Sequence, residues 1–186
     1  MAKEEMAPAT QRIGGLVPDF KLEQIGGGPQ SLSQTLAGAK CAVVVFWSGV
    51  CSHCVRYDAF FNGFKQRHPD VAFTAIASRQ GETPDQIRAV ISERGLTFPI
   101  LYDPGSLVAK QWATQQTPRA FLVDPSQTLL YRGAVDNFKF QEDPSYVGYL
   151  EPALADFLAG RAVARTETAS FGCAIQSVYY ILPKSL

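Results

Sequence analysis

Apolar residues recur along this chain with two periods. Ala42-Val43-Val44-Val45-Phe46 and Val71-Ala72-Phe73-Thr74-Ala75-Ile76-Ala77 are nearly unbroken apolar runs, rich in β-branched and aromatic residues, and predict buried strands. The first of these strands is expected from about Cys41 to Phe46. Ala120–Val123 and Thr128–Gly133, joined by Asp124-Pro125-Ser126-Gln127, predict a β-hairpin. Residues 14–25 alternate and end at Gly26-Gly27-Gly28-Pro29, a strand followed by strong turn chemistry. Phe98–Leu101 predicts a short, edge-like strand. Tyr57, Phe60, Phe61 and Phe64 follow the helical period instead and predict one continuous helix stopping near His68-Pro69. Gly63 inside it marks a kink, a close approach or simple tolerance.

Ser31–Leu36 predicts a short helical turn. Thr83 and Pro84 open a longer helix as N-cap and first helical residue, Ile87, Val90 and Ile91 line its apolar face, and Gly95 ends it. Two further helices are expected: Ser106–Ala113 around Leu107, Val108 and Trp112, and Tyr146–Ala159 with Leu150, Leu154, Phe157 and Leu158 inward. This order of elements implies an α/β fold, a mixed central sheet with helices on both faces. Residues 13–160 form the domain, after a flexible arm over 1–12. Residues 161–186 extend it, with a polar stretch to Ser170, then Phe171-Gly172-Cys173 and a strand-like run at Val178–Leu182.

Seventeen basic and 17 acidic residues in 186 leave a formal charge of +0, which gives no support for a nucleic-acid or anionic-membrane partner. No stretch approaches the ~20 apolar residues of a membrane span. Four cysteines are too few for a disulfide-dense scaffold of this length. The first ten residues lack the basic and apolar regions of a signal peptide. Expected placements are therefore extracytoplasmic (periplasmic), as a mature form without its leader, or alternatively cytoplasmic. A monomer is expected.

Chemistry concentrates at Cys51-Ser52-His53-Cys54, between the central strand and the aromatic helix. A CxxC at a strand-to-helix junction points to thiol–disulfide exchange. The unpaired amides of a helix start favour a thiolate at Cys51, the attacking sulfur, with Cys54 one turn on to resolve. A protonated His53 would stabilise that thiolate further. Haem attachment would need His at position 55, which is Val. Zinc usually takes four ligands, and a second CxxC is lacking, so no metal is expected. A structural staple is disfavoured because the bridge closes almost no loop. Cys41, at a strand start, is expected as a small core residue.

Val17-Pro18-Asp19-Phe20, Val45-Phe46-Trp47 before the CxxC, Thr117-Pro118, Phe121-Leu122-Val123-Asp124-Pro125 and Tyr131-Arg132-Gly133 together resemble the thioredoxin-fold redoxins, nearest the TlpA/ResA-like thiol–disulfide oxidoreductases. The likeness spans roughly residues 13–160 and implies a thioredoxin-like fold, here with an extra N-terminal β-hairpin and the C-terminal extension. It also implies a cis Pro118 beside the sulfurs, with the Thr117 backbone left as an edge for an extended polypeptide. Trp47 would wall the site or belong to the core. The chain departs from those families at two positions. Val45 stands where thioredoxins carry a buried Asp, and Tyr57 stands where TlpA/ResA-like proteins often carry Glu. Asp58 is then either a substitute proton acceptor or a solvated surface residue.

The expected activity is exchange between the Cys51–Cys54 pair and protein thiols or disulfides through a mixed disulfide, supplied by an upstream redox partner and needing no dissociable cofactor. Two alternatives stand beside it. One is a peroxiredoxin-like peroxide reductase, for which Ser48 three residues before Cys51 fits and Val44 in place of Pro does not. The other is a copper- or zinc-handling thioredoxin-like protein using Cys51, Cys54 and His53. Cys173 is either a third redox cysteine on a mobile arm or a free thiol without a role.

Overall fold

A computed structural model describes residues 12–176; the N-terminal arm up to residue 11 and the Val178–Leu182 run lie outside the described residues. A seven-stranded mixed sheet forms the centre, in the order β2-β1-β5-β4-β3-β7-β8. Strands β1 (Lys21–Gln24) and β2 (Pro29–Ser31) make the N-terminal hairpin, and helix α1 (Leu32–Leu36) follows directly. Ser31 closes a capping box with Gln34, and Asp19 Oδ1 accepts a second amide from Leu32 at 2.8 Å. The central strand β3 (Cys41–Trp47) is wholly buried. Its odd residues Cys41, Val43, Val45 and Trp47 join one core; its even residues Ala42, Val44 and Phe46 join the other. This explains why the run reads as apolar without alternation: both faces of the strand are covered.

The expected aromatic helix is three short ones, α2 (Ser52–Val55), α3 (Asp58–Asn62) and α4 (Phe64–Arg67). Tyr57 breaks the first junction with φ −102° and ψ 6°, its hydroxyl donating to Asp136 Oδ1 at 2.6 Å. Gly63, with φ −83° and ψ −1°, breaks the second, and a Cβ there would stand 2.8 Å from Arg67 Nη1, so the kink and the close approach are both found. The inward face survives the breaks, with Tyr57, Phe61 and Phe64 buried. Strand β4 (Val71–Ala77) runs parallel to β3, and α5 (Pro84–Arg94) carries the Thr83 cap and a left-handed Gly95.

Strand β5 (Ile100–Tyr102) is interior rather than an edge, because β1 pairs with its outer side. Helix α6 (Leu107–Gln111) buries Val108, with Trp112 just beyond it, while Leu107 is 59% exposed and faces outward. After β6 (Gln116–Thr117) come the antiparallel β7 (Arg119–Val123) and β8 (Leu129–Gly133). Helix α7 (Leu150–Leu158) starts later than expected, since the Val147 carbonyl accepts the Asn137 amide and Tyr149 donates to Val135. The alternation before β1 is split by Pro18: Gly14 and Val17 donate to Leu129 and Gln127, leaving only Lys21–Gln24 for the sheet. Helices α2 to α5 and α7 pack on one face, and α1 and α6 on the other.

The chain then runs back across the molecule. Arg132 and Thr166–Thr168 exchange backbone hydrogen bonds at the outer edge of β8. The segment ends in β9 (Cys173–Ala174), antiparallel to β6, with Thr117 opposite Cys173 and Gln116 opposite Ala174.

Candidate active site

The strand β3 ends at Trp47, and the turn Ser48–Val50 delivers Cys51 to the N-cap of α2. The turn is braced from both sides. Glu82 Oε1 accepts the Gly49 amide at 2.7 Å, and Arg94 Nη1 donates to the Gly49 carbonyl at 2.9 Å. A Cβ at position 49 would lie 2.7 Å from Glu82 Oε1, so glycine gives the carboxylate its close approach. Arg94 also pairs with Asp58 and lies over the Trp47 ring.

Cys51 Sγ lies 3.2 Å from the Thr117 carbonyl oxygen, and the Thr117–Pro118 bond is cis. The thiol of Cys54 donates to Cys51 Sγ, and this is the largest influence lowering the Cys51 pKa from an ordinary 9.0 to about 4. Burial opposes it; the Cys173 thiol, the Thr117 side chain and the Cys173 amide all assist. The buried Thr117 hydroxyl has no hydrogen-bond partner of its own among the described residues, and the Thr117 side chain lowers the pKa of Cys51 and opposes the rise at Cys54. Cys54 is raised well above the usual thiol range, by burial first and then by the proton it shares with Cys51. Helix α2 is a single turn of four residues, so neighbouring thiols, a hydroxyl and an amide hold the charge rather than a long helix dipole.

Cys51 is fully buried. Cys173 closes over it from the strand that pairs with Thr117. The Cys173 sulfur lies between Cys51 and the His53 amide, and its pKa is raised by burial and by its contact with Cys51. Gly172 permits this fit, since a Cβ there would stand 1.9 Å from the Thr117 carbonyl oxygen. On one side Phe171 meets Phe138 with ring centres 6.1 Å apart. On the other, Ile175 is buried, donates to Gln115 at 2.9 Å and accepts from Gln80 at 2.8 Å.

The structure brings Cys51, Cys54, Thr117, Pro118 and Cys173 together. Trp47 is fully buried against Phe98 and stands in the core, not as an exposed wall. His53 turns its ring onto Phe138, 5.2 Å away, and meets the site through its amide. Asp58 is partly buried and held in an ion pair by Arg94. Cys41 is a core thiol, pushed up to about 12 by burial. Glu82 and Arg94 went unread in the sequence; a carboxylate directly before a helix N-cap resembles any solvated helix start. Among the described residues no group of three or more His, Cys, Asp or Glu stands ready for a metal ion.

The AhpC/TSA family model matches residues 13–132. The chain is similar to a thiol-disulfide oxidoreductase ResA of Bacillus thuringiensis, 25% identical over 113 residues, covering 61% of this chain and 64% of that protein. It therefore spans just under two thirds of the length of the curated relatives it matches. Two solved structures are similar over more of the chain. A hypothetical protein from Sinorhizobium meliloti is 28% identical with a TM-score of 0.78, covering 88% of this chain and 93% of that one. An uncharacterised conserved protein from Geobacillus kaustophilus is 26% identical with a TM-score of 0.77, covering 94% of both. The fold is thioredoxin-like, as the sequence resemblance implied.

Proposed function

The chain belongs to the AhpC/TSA family, and from that premise we propose that it is a thiol–disulfide oxidoreductase acting on protein substrates. The observation that carries the reading is the division of labour between two sulfurs one turn apart. Cys51 is lowered to about 4 while Cys54 is raised, so one is a thiolate and the other keeps its proton. The Cys51 thiolate attacks a substrate disulfide and a mixed disulfide forms. Cys54 then gives up its proton and attacks Cys51 Sγ; the substrate leaves as a thiol and the Cys51–Cys54 disulfide remains. An upstream dithiol returns the pair to the reduced state. Lowering the Cys51 pKa stabilises the reduced form and makes the disulfide more oxidising. The names of the ResA-type relatives, thiol-disulfide oxidoreductases, agree with this class of activity.

The test is dithiothreitol-driven reduction of insulin disulfides. The parent protein is expected to accelerate it, and Cys51→Ser to fall to the uncatalysed rate. A Cys51→Ser variant as active as the parent overturns the proposal. Stoichiometric loss of hydrogen peroxide without disulfide turnover overturns it in favour of peroxide reduction.

A further inference from the structure

We propose that Cys173 is a third exchange-competent cysteine, which takes Cys51 from Cys54 to form a Cys51–Cys173 disulfide when the protein is oxidised. The inference rests on the reading of Cys51 and Cys54 as the redox pair. Its basis is placement. Thr117 touches Cys51 Sγ through its carbonyl, and in the antiparallel pairing of β6 with β9 the residue opposite Thr117 is Cys173. Four features hold Cys173 there: the close passage of Gly172, the buried Ile175, and the hydrogen bonds from Ile175 to Gln115 and from Gln80 to Ile175. Cys41 is the contrast within the same chain, a thiol sealed in the core. Cys173 instead stands at the rim with its sulfur against another sulfur.

The step balances within the protein. The Cys173 thiolate attacks Sγ of Cys51 in the Cys51–Cys54 disulfide. The Cys51–Cys173 bond forms as the Cys51–Cys54 bond breaks. The electron pair leaves on Cys54, which takes up the proton that Cys173 released. One disulfide replaces another, with no electrons gained or lost. Oxidation also prepares the nucleophile: in the reduced protein the Cys51 thiolate holds the Cys173 proton in place, and bonding Cys51 to Cys54 removes that charge. Burial still disfavours the charge, and the His53 amide and the positive charge of Arg79 remain to oppose that effect.

The experiment oxidises the full chain with glutathione disulfide, blocks free thiols with N-ethylmaleimide in acid, and maps the unreduced tryptic peptides by mass spectrometry. The parent is expected to give peptide 41–56 bridged internally, and also peptide 41–56 joined to peptide 166–184. In Cys54→Ser the joined form is expected to become the main product, in monomers on a non-reducing gel. Cys173→Ser is expected to lose it and keep the internal bridge. An internal bridge in the parent with no joined peptide overturns this proposal and leaves the redox pair standing. A Cys54→Ser protein that ends as a glutathione adduct on Cys51, or joined only between molecules, overturns it as well. Blocked, unoxidised cysteines at 51 and 54 in the parent overturn the redox pair itself and the inference with it.

Discussion

Cys51 shows how a single sulfur is tuned by what donates to it. With its pKa at about 4 the thiolate population is complete by about pH 6, so carbamidomethylation of Cys51 by iodoacetamide should be flat between pH ~6 and ~8. An ordinary thiol at 9.0 would speed up about tenfold per pH unit over the same window. The same displacement has a stability consequence. The folded state ionises Cys51 above about 4 and the unfolded chain only near 9.0, so the contribution is absent in acid and grows as pH rises between the two. The Tm of the reduced parent, minus that of Cys51→Ser, should widen steadily from pH ~4.5 to ~8. Glu82 has the opposite sign. Burial raises its pKa above the usual 4.5, so its stabilisation is present below that value and lost as pH rises through the folded pKa. Glu82→Gln, which keeps an acceptor for the Gly49 amide, should therefore gain on the parent at neutral pH relative to pH ~4. Glu82→Ala strands that amide and should destabilise by about 1–3 kcal/mol in urea denaturation.

At the level of elements, β9 is two residues long and brings Cys173 against the buried Cys51. Gly172→Ala would place a methyl group 1.9 Å from the Thr117 carbonyl oxygen, so the pairing with β6 must yield. The expected result is carbamidomethylation of Cys51 at least about tenfold faster than in the parent, the effect of ~1.4 kcal/mol of local opening. Ile175→Ala should act in the same direction by loosening the anchor without touching the strand contact. What was legible in the sequence follows from range. The central strand, the CxxC at its end and the Thr83-Pro84 helix start are written in contiguous residues, and each forms close to where the pattern puts it. The broken aromatic helix was not, because the Tyr57 break depends on a partner at Asp136. The site was half legible for the same reason. Cys51, Cys54 and Thr117-Pro118 carry local signatures. The seat of Cys173 depends on a pairing between residues far apart in the chain, and the brace at Gly49 on Glu82 and Arg94 in the next helical unit.

Across the whole molecule, the family fold supplies the scaffold and the C-terminal return supplies the difference. The AhpC/TSA match ends at residue 132, and the chain beyond it crosses the β8 edge before reaching the sulfurs. Gly133 and Thr168 pack so closely that a Cβ at 133 would lie 2.0 Å from Thr168 Oγ1. The extension is thus fastened at β8, at β6 and, through Ile175, to Gln80. Because cover and nucleophile share one polypeptide, the competitor for the β6 edge is present at a fixed local concentration that dilution never changes. On the proposed function, a polypeptide substrate that pairs with β6 would contend with the same occupant, and its apparent affinity would fall by the fraction of molecules standing open. Loosening the fastening should lower KM for an extended disulfide peptide and leave kcat nearly unchanged, a split that steady-state kinetics of Ile175→Ala against the parent would read directly. Small thiols make no backbone pairing, so they would meet the same open fraction of molecules but gain nothing from the vacated edge of β6.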